Sequence, residues 1–84
     1  MRSCFITFRS VTFAQRGEGL LRRAGIPCAL QRTPKWMEAQ GCGYSLRMDR
    51  SDLGRSRELL HAAQVPYRKV YQRREDGTVE EMTV

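Results

Sequence analysis

The sequence predicts an α+β domain of ferredoxin-like βαββαβ topology, with a four-stranded antiparallel sheet. Two observations carry that expectation. Alternating apolar segments flank two stretches of helical periodicity, and the chain repeats itself. Leu20-Leu21-Arg22-Arg23-Ala24-Gly25-Ile26-Pro27 aligns with Leu59-Leu60-His61-Ala62-Ala63-Gln64-Val65-Pro66 at a constant offset of 39 residues, with four identical positions. Each copy is a strand, a helix ending in a Leu pair, and an apolar-Pro entry into the next strand. Two such copies make the split βαβ arrangement.

Residues 3–9 alternate as a first strand, with Cys4, Ile6 and Phe8 on one face and Ser3, Phe5, Thr7 and Arg9 on the other. Ser10 and Thr12 are candidate N-caps for the first helix, since a hydroxyl accepts from an amide left free at a helix start. Phe13, Leu20, Leu21 and Ala24 share a face of that helix. Gly17 lies among them, where a missing side chain would let the helix approach the sheet. Gly25 is a natural terminator. Pro27 opens a second strand, residues 28–32, which Thr33-Pro34 ends. Residues 35–41 form a connecting loop with the sole tryptophan, Trp36, read either as packing and partner contact or as a lid.

Tyr44, Leu46 and Met48 then alternate with Ser45, Arg47 and Asp49 as a third strand. Asp49 or Ser51 caps a second helix with the stripe Leu53, Leu60 and Ala63, and Leu59 beside it. Pro66 leads into a fourth strand, residues 67–73. Asp76-Gly77 is a two-residue hairpin signal. It sets Arg73 opposite Glu80 and Tyr71 opposite Met82, adding a strand over residues 78–82. A frayed tail or pairing with a second subunit are the alternatives. The 84 residues thus read as one domain, with the βαββαβ core over 3–73 and a hairpin or flexible tail over 74–84.

Composition narrows the classes of function. Hydrophobic residues at 40% and charged residues at 29% describe an ordinary globular chain. No apolar run approaches the roughly 20 residues that span a bilayer, and the alternating start differs from a signal peptide. A cytoplasmic protein with no membrane association is expected. Three cysteines without CxxC spacing and a single histidine, His61, argue against a disulfide framework and a zinc site. His61 reads as a surface residue, and Cys4 and Cys28 as small buried hydrophobes. The net charge of +6 suits an anionic partner, yet the basic residues are dispersed, which equally describes a solvated surface. No cofactor motif, phosphate loop or catalytic acid pair is present.

The stretch with most scope for chemistry is Gly41-Cys42-Gly43. A thiol between glycines has no neighbouring side chains to shield it, and glycine opens backbone conformations closed to other residues. A tight turn that happens to hold a cysteine is the competing account. In the predicted topology the loop before the third strand shares a sheet end with the start of the first helix. Cys42 is therefore expected near the amides of Ser10 to Phe13, where the helix start favours a thiolate. Arg9, Lys35 and Arg47, with the cap hydroxyls of Ser10 and Thr12, are candidate contributors.

The pattern Ile6-Thr7-Phe8, the Ser/Thr-capped helix ending Leu20-Leu21…Ala24-Gly25-Ile26-Pro27, Thr33-Pro34, Cys42-Gly43 and a second helix and strand resembles the small bacterial selenium/sulfur carrier-like family. The resemblance covers about residues 5 to 71. It implies that Cys42 is the carrier thiol, taking sulfur or selenium as a persulfide or perselenide from a cysteine desulfurase or selenocysteine-lyase-like donor. It points to a covalent carrier or accessory protein rather than a turnover enzyme. The basic helices, Cys4, Cys28 and the tail after Tyr71 depart from the family pattern. Two other readings stay open: a regulatory or dimerisation module, homodimeric through sheet edges or faces, and a single-stranded RNA-binding module. The second is disfavoured, because Phe5 and Tyr44 are fewer aromatics than an RNA-recognition sheet uses.

Overall fold

A computed structural model describes residues 2–33 and 43–82. Along the chain run β1 (Ser3–Phe8), α1 (Val11–Arg23), β2 (Ala29–Arg32), β3 (Tyr44–Asp49), a 3-10 turn (Arg50–Asp52), α2 (Leu53–Ala62), β4 (Val70–Arg73) and β5 (Val79–Glu81). The sheet order is β2-β3-β1-β4-β5 and every pairing is antiparallel. This is the expected ferredoxin-like arrangement with a fifth strand added beside β4. The added strand covers one of the two edges such a sheet would otherwise leave unpaired.

Alternation along β1 divides the interior in two. Cys4, Ile6 and Phe8 join Leu46, Met48 and Val70 beneath the helices, together with Ala14, Leu21, Leu53 and Leu60. Phe5 points to the opposite sheet face, where it packs with Tyr71 and Val79. The Arg73 guanidinium lies 5.5 Å from the centre of the Phe5 ring.

α1 approaches the sheet through Gly17. A Cβ built there would stand 3.2 Å from Leu60 Cδ2, 3.2 Å from Phe8 Cζ and 3.3 Å from Leu46 Cδ1. Those atoms come from α2, β1 and β3, so the absent side chain is what lets three elements meet on the helix. The buried line of α1 is Ala14, Gly17 and Leu21, while Phe13 and Leu20 are half-buried. The observed stripe is therefore rotated from the expected one: spacing marks the large residues, whereas the closest approach belongs to the small ones. On α2 the buried line is Leu53, Ser56 and Leu60, and Ala63 is exposed. The Ser56 hydroxyl is buried without a hydrogen-bond partner.

The internal repeat is matched in backbone geometry. Gly25 and Gln64 both take positive φ, 81° and 57°. The Ile26 and Val65 amides donate to Leu21 O and Leu60 O, each at 2.9 Å. Both helices thus end in the same Schellman-type cap. Gln64 adopts at some cost a conformation that glycine takes freely.

The tail hairpin forms in a different register from the expected one. Tyr71 pairs with Glu81, Gln72 with Glu80 and Arg73 with Val79. The turn holds three residues rather than two: the Gly77 amide donates to Arg74 O at 3.0 Å, Gly77 has φ of 90°, and the Arg74 amide donates to Thr78 O. Gly77 is thereby the left-handed residue closing a turn-plus-bulge loop. That one-residue shift changes each cross-strand partner. Glu80 bonds Arg74 instead of facing Arg73, and the Lys69 ammonium lies 3.6 Å from Glu81.

The two helical glycines of α1 separate packing from propensity. Gly17→Leu is expected to lower stability by about 2 kcal/mol or more through overpacking. Gly19→Ala, whose added Cβ comes no nearer than 3.9 Å to the Arg23 side chain, is expected to raise it by about 1 kcal/mol. Urea denaturation of both variants checks the pair, and equal effects would contradict the close approach at Gly17.

Candidate functional site

The elements that flank the Cys42 segment are built from β1, α1 and β3. β1 and β3 pair as far as Phe8 opposite Tyr44. β2 and β3 pair as far as Arg32 opposite Tyr44, and the Thr33 amide donates to Gly43 O at 3.0 Å. Arg9 and Gly43 each lie one residue beyond the Phe8–Tyr44 pair. The chain leaves β1, starts α1, and returns into β3 at one end of the sheet, as expected. Gly41, Cys42, Lys35 and Trp36 lie outside the described residues.

Ser10 is the N-cap of α1. With extended backbone angles it accepts from the Phe13 amide on Oγ at 3.2 Å, and its carbonyl accepts from the Ala14 amide at 3.1 Å. Thr12, the other cap candidate, is instead an exposed residue within the first turn. The Val11 and Thr12 amides have no acceptor among the described residues. The first turn holds no acidic residue. The partial positive charge of the helix start is therefore not offset within α1 itself.

Arg9 is exposed beside this helix start and has no carboxylate partner among the described residues. Arg47 is placed elsewhere. It pairs with Phe5 and Ala29, three residues into β3 from Tyr44, or about 10 Å along a strand. The structure therefore groups Ser10, Thr12, Arg9 and Gly43 at one sheet end and leaves Arg47 out. A Cβ built on Gly43 would meet no atom within 4 Å among the described residues.

Three residues at this end were not singled out from the sequence. Thr7 is fully buried, and its hydroxyl both accepts from the Lys69 amide at 3.1 Å and donates to Lys69 O at 3.3 Å. Its carbonyl accepts from the Arg68 amide at 2.8 Å while its own amide donates to Lys69 O at 2.9 Å. Arg68 and Lys69 thus both oppose Thr7, a bulge that breaks the regular ladder before β4. It delays the regular strand from the expected residue 67 to Val70. The broken alternation in Tyr67-Arg68-Lys69 was the available signal. Two hydroxyls, Ser45 Oγ and Thr33 Oγ1, are buried with no hydrogen-bond partner among the described residues.

The other cysteines are unlike an exposed thiol. Cys4 is fully buried, and that burial pushes its pKa up; Arg50 opposes the shift and Asp49 adds to it. Cys28, half-buried just before β2, is also pushed up by burial, against an opposing hydrogen bond and charge from Arg22. His61 is exposed. Among the described residues no group of three His, Cys, Asp or Glu side chains could hold a metal ion. Phe5 is buried on the helix-free face of the sheet, and Tyr44 packs on the helix side with the Arg32 guanidinium 5.6 Å from its ring centre. The two therefore form no shared stacking platform of the kind an RNA-recognition sheet presents. No described helix is long and apolar enough to cross a membrane.

The fold and this sheet end describe a ferredoxin-like domain whose β2–β3 connection contains one glycine-flanked cysteine. The family model described as "Putative Se/S carrier protein-like" matches residues 3–72, and the chain belongs to that family. Neither a curated protein nor a solved structure gives a significant match.

Ser10→Ala removes the side-chain acceptor of α1 and is expected to cost about 1 kcal/mol. Thr12→Ala, which removes no observed cap bond, is expected to change stability by a few tenths at most. Thermal melts of the two variants check this, and an equal loss would contradict Ser10 as the cap.

Proposed function

We propose that the protein is a covalent carrier that holds a transferred sulfur or selenium atom on Cys42. The observation that carries this reading is membership of the Se/S carrier-like family over residues 3–72, a span that includes Gly41-Cys42-Gly43. It is supported by Gly43 and Arg9 lying at one sheet end with the start of α1, where the Val11 and Thr12 amides have no acceptor among the described residues, because positive charge of that kind favours a thiolate. Cys4 and Cys28, both shifted toward the protonated thiol by burial, are poorer nucleophiles at neutral pH.

The Cys42 thiolate attacks the terminal sulfur of a persulfide on a cysteine desulfurase, or the selenium of a perselenide on a selenocysteine-lyase-like protein. One bond from Cys42 Sγ to the transferred atom forms as the donor's bond to that atom breaks. The donor cysteine leaves as a thiolate, and no external oxidant or reductant is consumed. The same exchange in reverse hands the atom to an acceptor. Such a carrier works where thiols stay reduced, which is the condition of the cytoplasm. Its role is group transfer between proteins rather than turnover of a small substrate.

Incubation with a cysteine desulfurase and cysteine, followed by mass spectrometry of the intact protein and its peptides, tests the reading. One added sulfur on the peptide containing Cys42, absent from Cys42→Ser, is expected. An unmodified Cys42 beside a control carrier loaded in the same reaction would contradict it.

A further inference from the structure

Three depressions on the surface share Tyr67. One, of about 460 Å³, is lined by Arg9, Phe13, Pro66, Tyr67 and Arg68. The other two flank Tyr67 on the α2 side, where Arg57 and His61 are among the lining residues. Together they form a shallow groove from the start of α1, across the entry to β4, onto α2. Phe13 and Tyr67 are half-buried and supply its apolar floor. Tyr67 is held in place by the Arg57 Nε–H, which donates to its hydroxyl at 3.1 Å.

The charge of the groove is one-sided. Arg9 and Arg68 are exposed and have no carboxylate partner among the described residues, as is true also of Arg32, Arg47, Arg50, Arg55 and Arg73 elsewhere on the surface, whereas Arg2, Arg22, Lys69 and Arg74 each have one. Among the described residues Glu58 is the one acidic residue lining any of the three depressions. Arg16 and Arg23 of α1 are exposed as well, but they do not line these depressions. Thr7 fixes the backbone of Arg68 and Lys69 with four hydrogen bonds, so the Arg68 side of the groove is built on a rigid base.

We propose that this groove docks an acidic segment of the protein that exchanges sulfur or selenium with Cys42, with carboxylates on Arg9 and Arg68 and an apolar side chain on Phe13 and Tyr67. The identity of that partner rests on the carrier reading; its chemistry rests on the groove. Arginines around an aromatic floor are the composition of binding hot spots. Unpaired positive charge speeds encounter with an acidic surface and fixes its orientation. Arg9 and Gly43 stand at the same sheet end, so a segment bound here brings its protein to the end from which the Cys42 segment enters β3.

The test uses the full chain carrying Cys42→Ser, ¹⁵N-labelled and titrated with a short synthetic peptide of glutamates around a central Leu-Phe pair. Amide shifts confined to residues of the groove, including Arg9, Phe13, Tyr67 and Arg68, are expected. The affinity should fall about tenfold in R9E/R68E, less in R9Q/R68Q, and little in R16E/R23E. Replacing the peptide's glutamates by glutamines should weaken binding similarly. Shifts spread equally over Arg16 and Arg23, no binding at low salt, or tighter binding of single-stranded RNA to the groove would overturn the proposal. Sulfur loading of the wild-type chain is scored separately. Loading without peptide binding removes the groove alone, and peptide binding without loading removes the carrier reading alone.

Discussion

The missing side chain at Gly17 is the constraint on which the arrangement of elements depends. Phe8 from β1, Leu46 from β3 and Leu60 from α2 all reach the point where a Cβ would stand. A side chain there would force those three groups to give way, and dense interiors do not absorb a large one without loss. Because Phe8 is also the last residue of β1, the contact fixes the position from which the chain turns into Ser10. Packing in the middle of the molecule and the geometry of its polar end are thus one problem. The helix start lies next to the entry of β3 because α1 can lie this close to β1 and β3.

Much of the fold was legible in the sequence because it is specified locally. Strand alternation placed Cys4, Ile6 and Phe8 on the helix side, and the helical repeat foreshadowed two identical C-terminal caps. The features that escaped are set by the count of residues in a turn or by tertiary contact. Asp76-Gly77 suggested a two-residue turn, but Gly77 closes a three-residue loop, so Arg73 meets Val79 rather than Glu80. The close approach at Gly17 was legible, but Ala14 and Ser56, which complete the buried lines of the two helices, were not. Small side chains carry little hydrophobic signal and much geometric consequence.

At the candidate site, topology was legible and side-chain grouping was less so. The shared sheet end of Ser10, Arg9 and Gly43 follows from strand order. Arg47 lies three residues further along β3 than Tyr44, about 10 Å by strand rise. Arg68 was missed because a bulge opposite Thr7, not an alternating strand, sets it in the same depression as Arg9. The resulting end of the molecule combines an exposed arginine, Arg9, with helix amides that have no acceptor among the described residues. It differs from the settings of Cys4 and Cys28, where burial is the largest influence on the thiol.

That contrast can be read directly from the pH dependence of thiol alkylation. Cys4 and Cys28 have pKa values raised by burial. Folding is therefore favoured by these groups below the ordinary thiol range, and that contribution is lost as pH rises through their folded values. Site-resolved alkylation across neutral to alkaline pH should find Cys42 reacting first, with a midpoint below that of an unstructured cysteine, and the other two only well above it. A Cys42 midpoint at or above those of Cys4 and Cys28 would contradict the account of Cys42 as an activated carrier thiol.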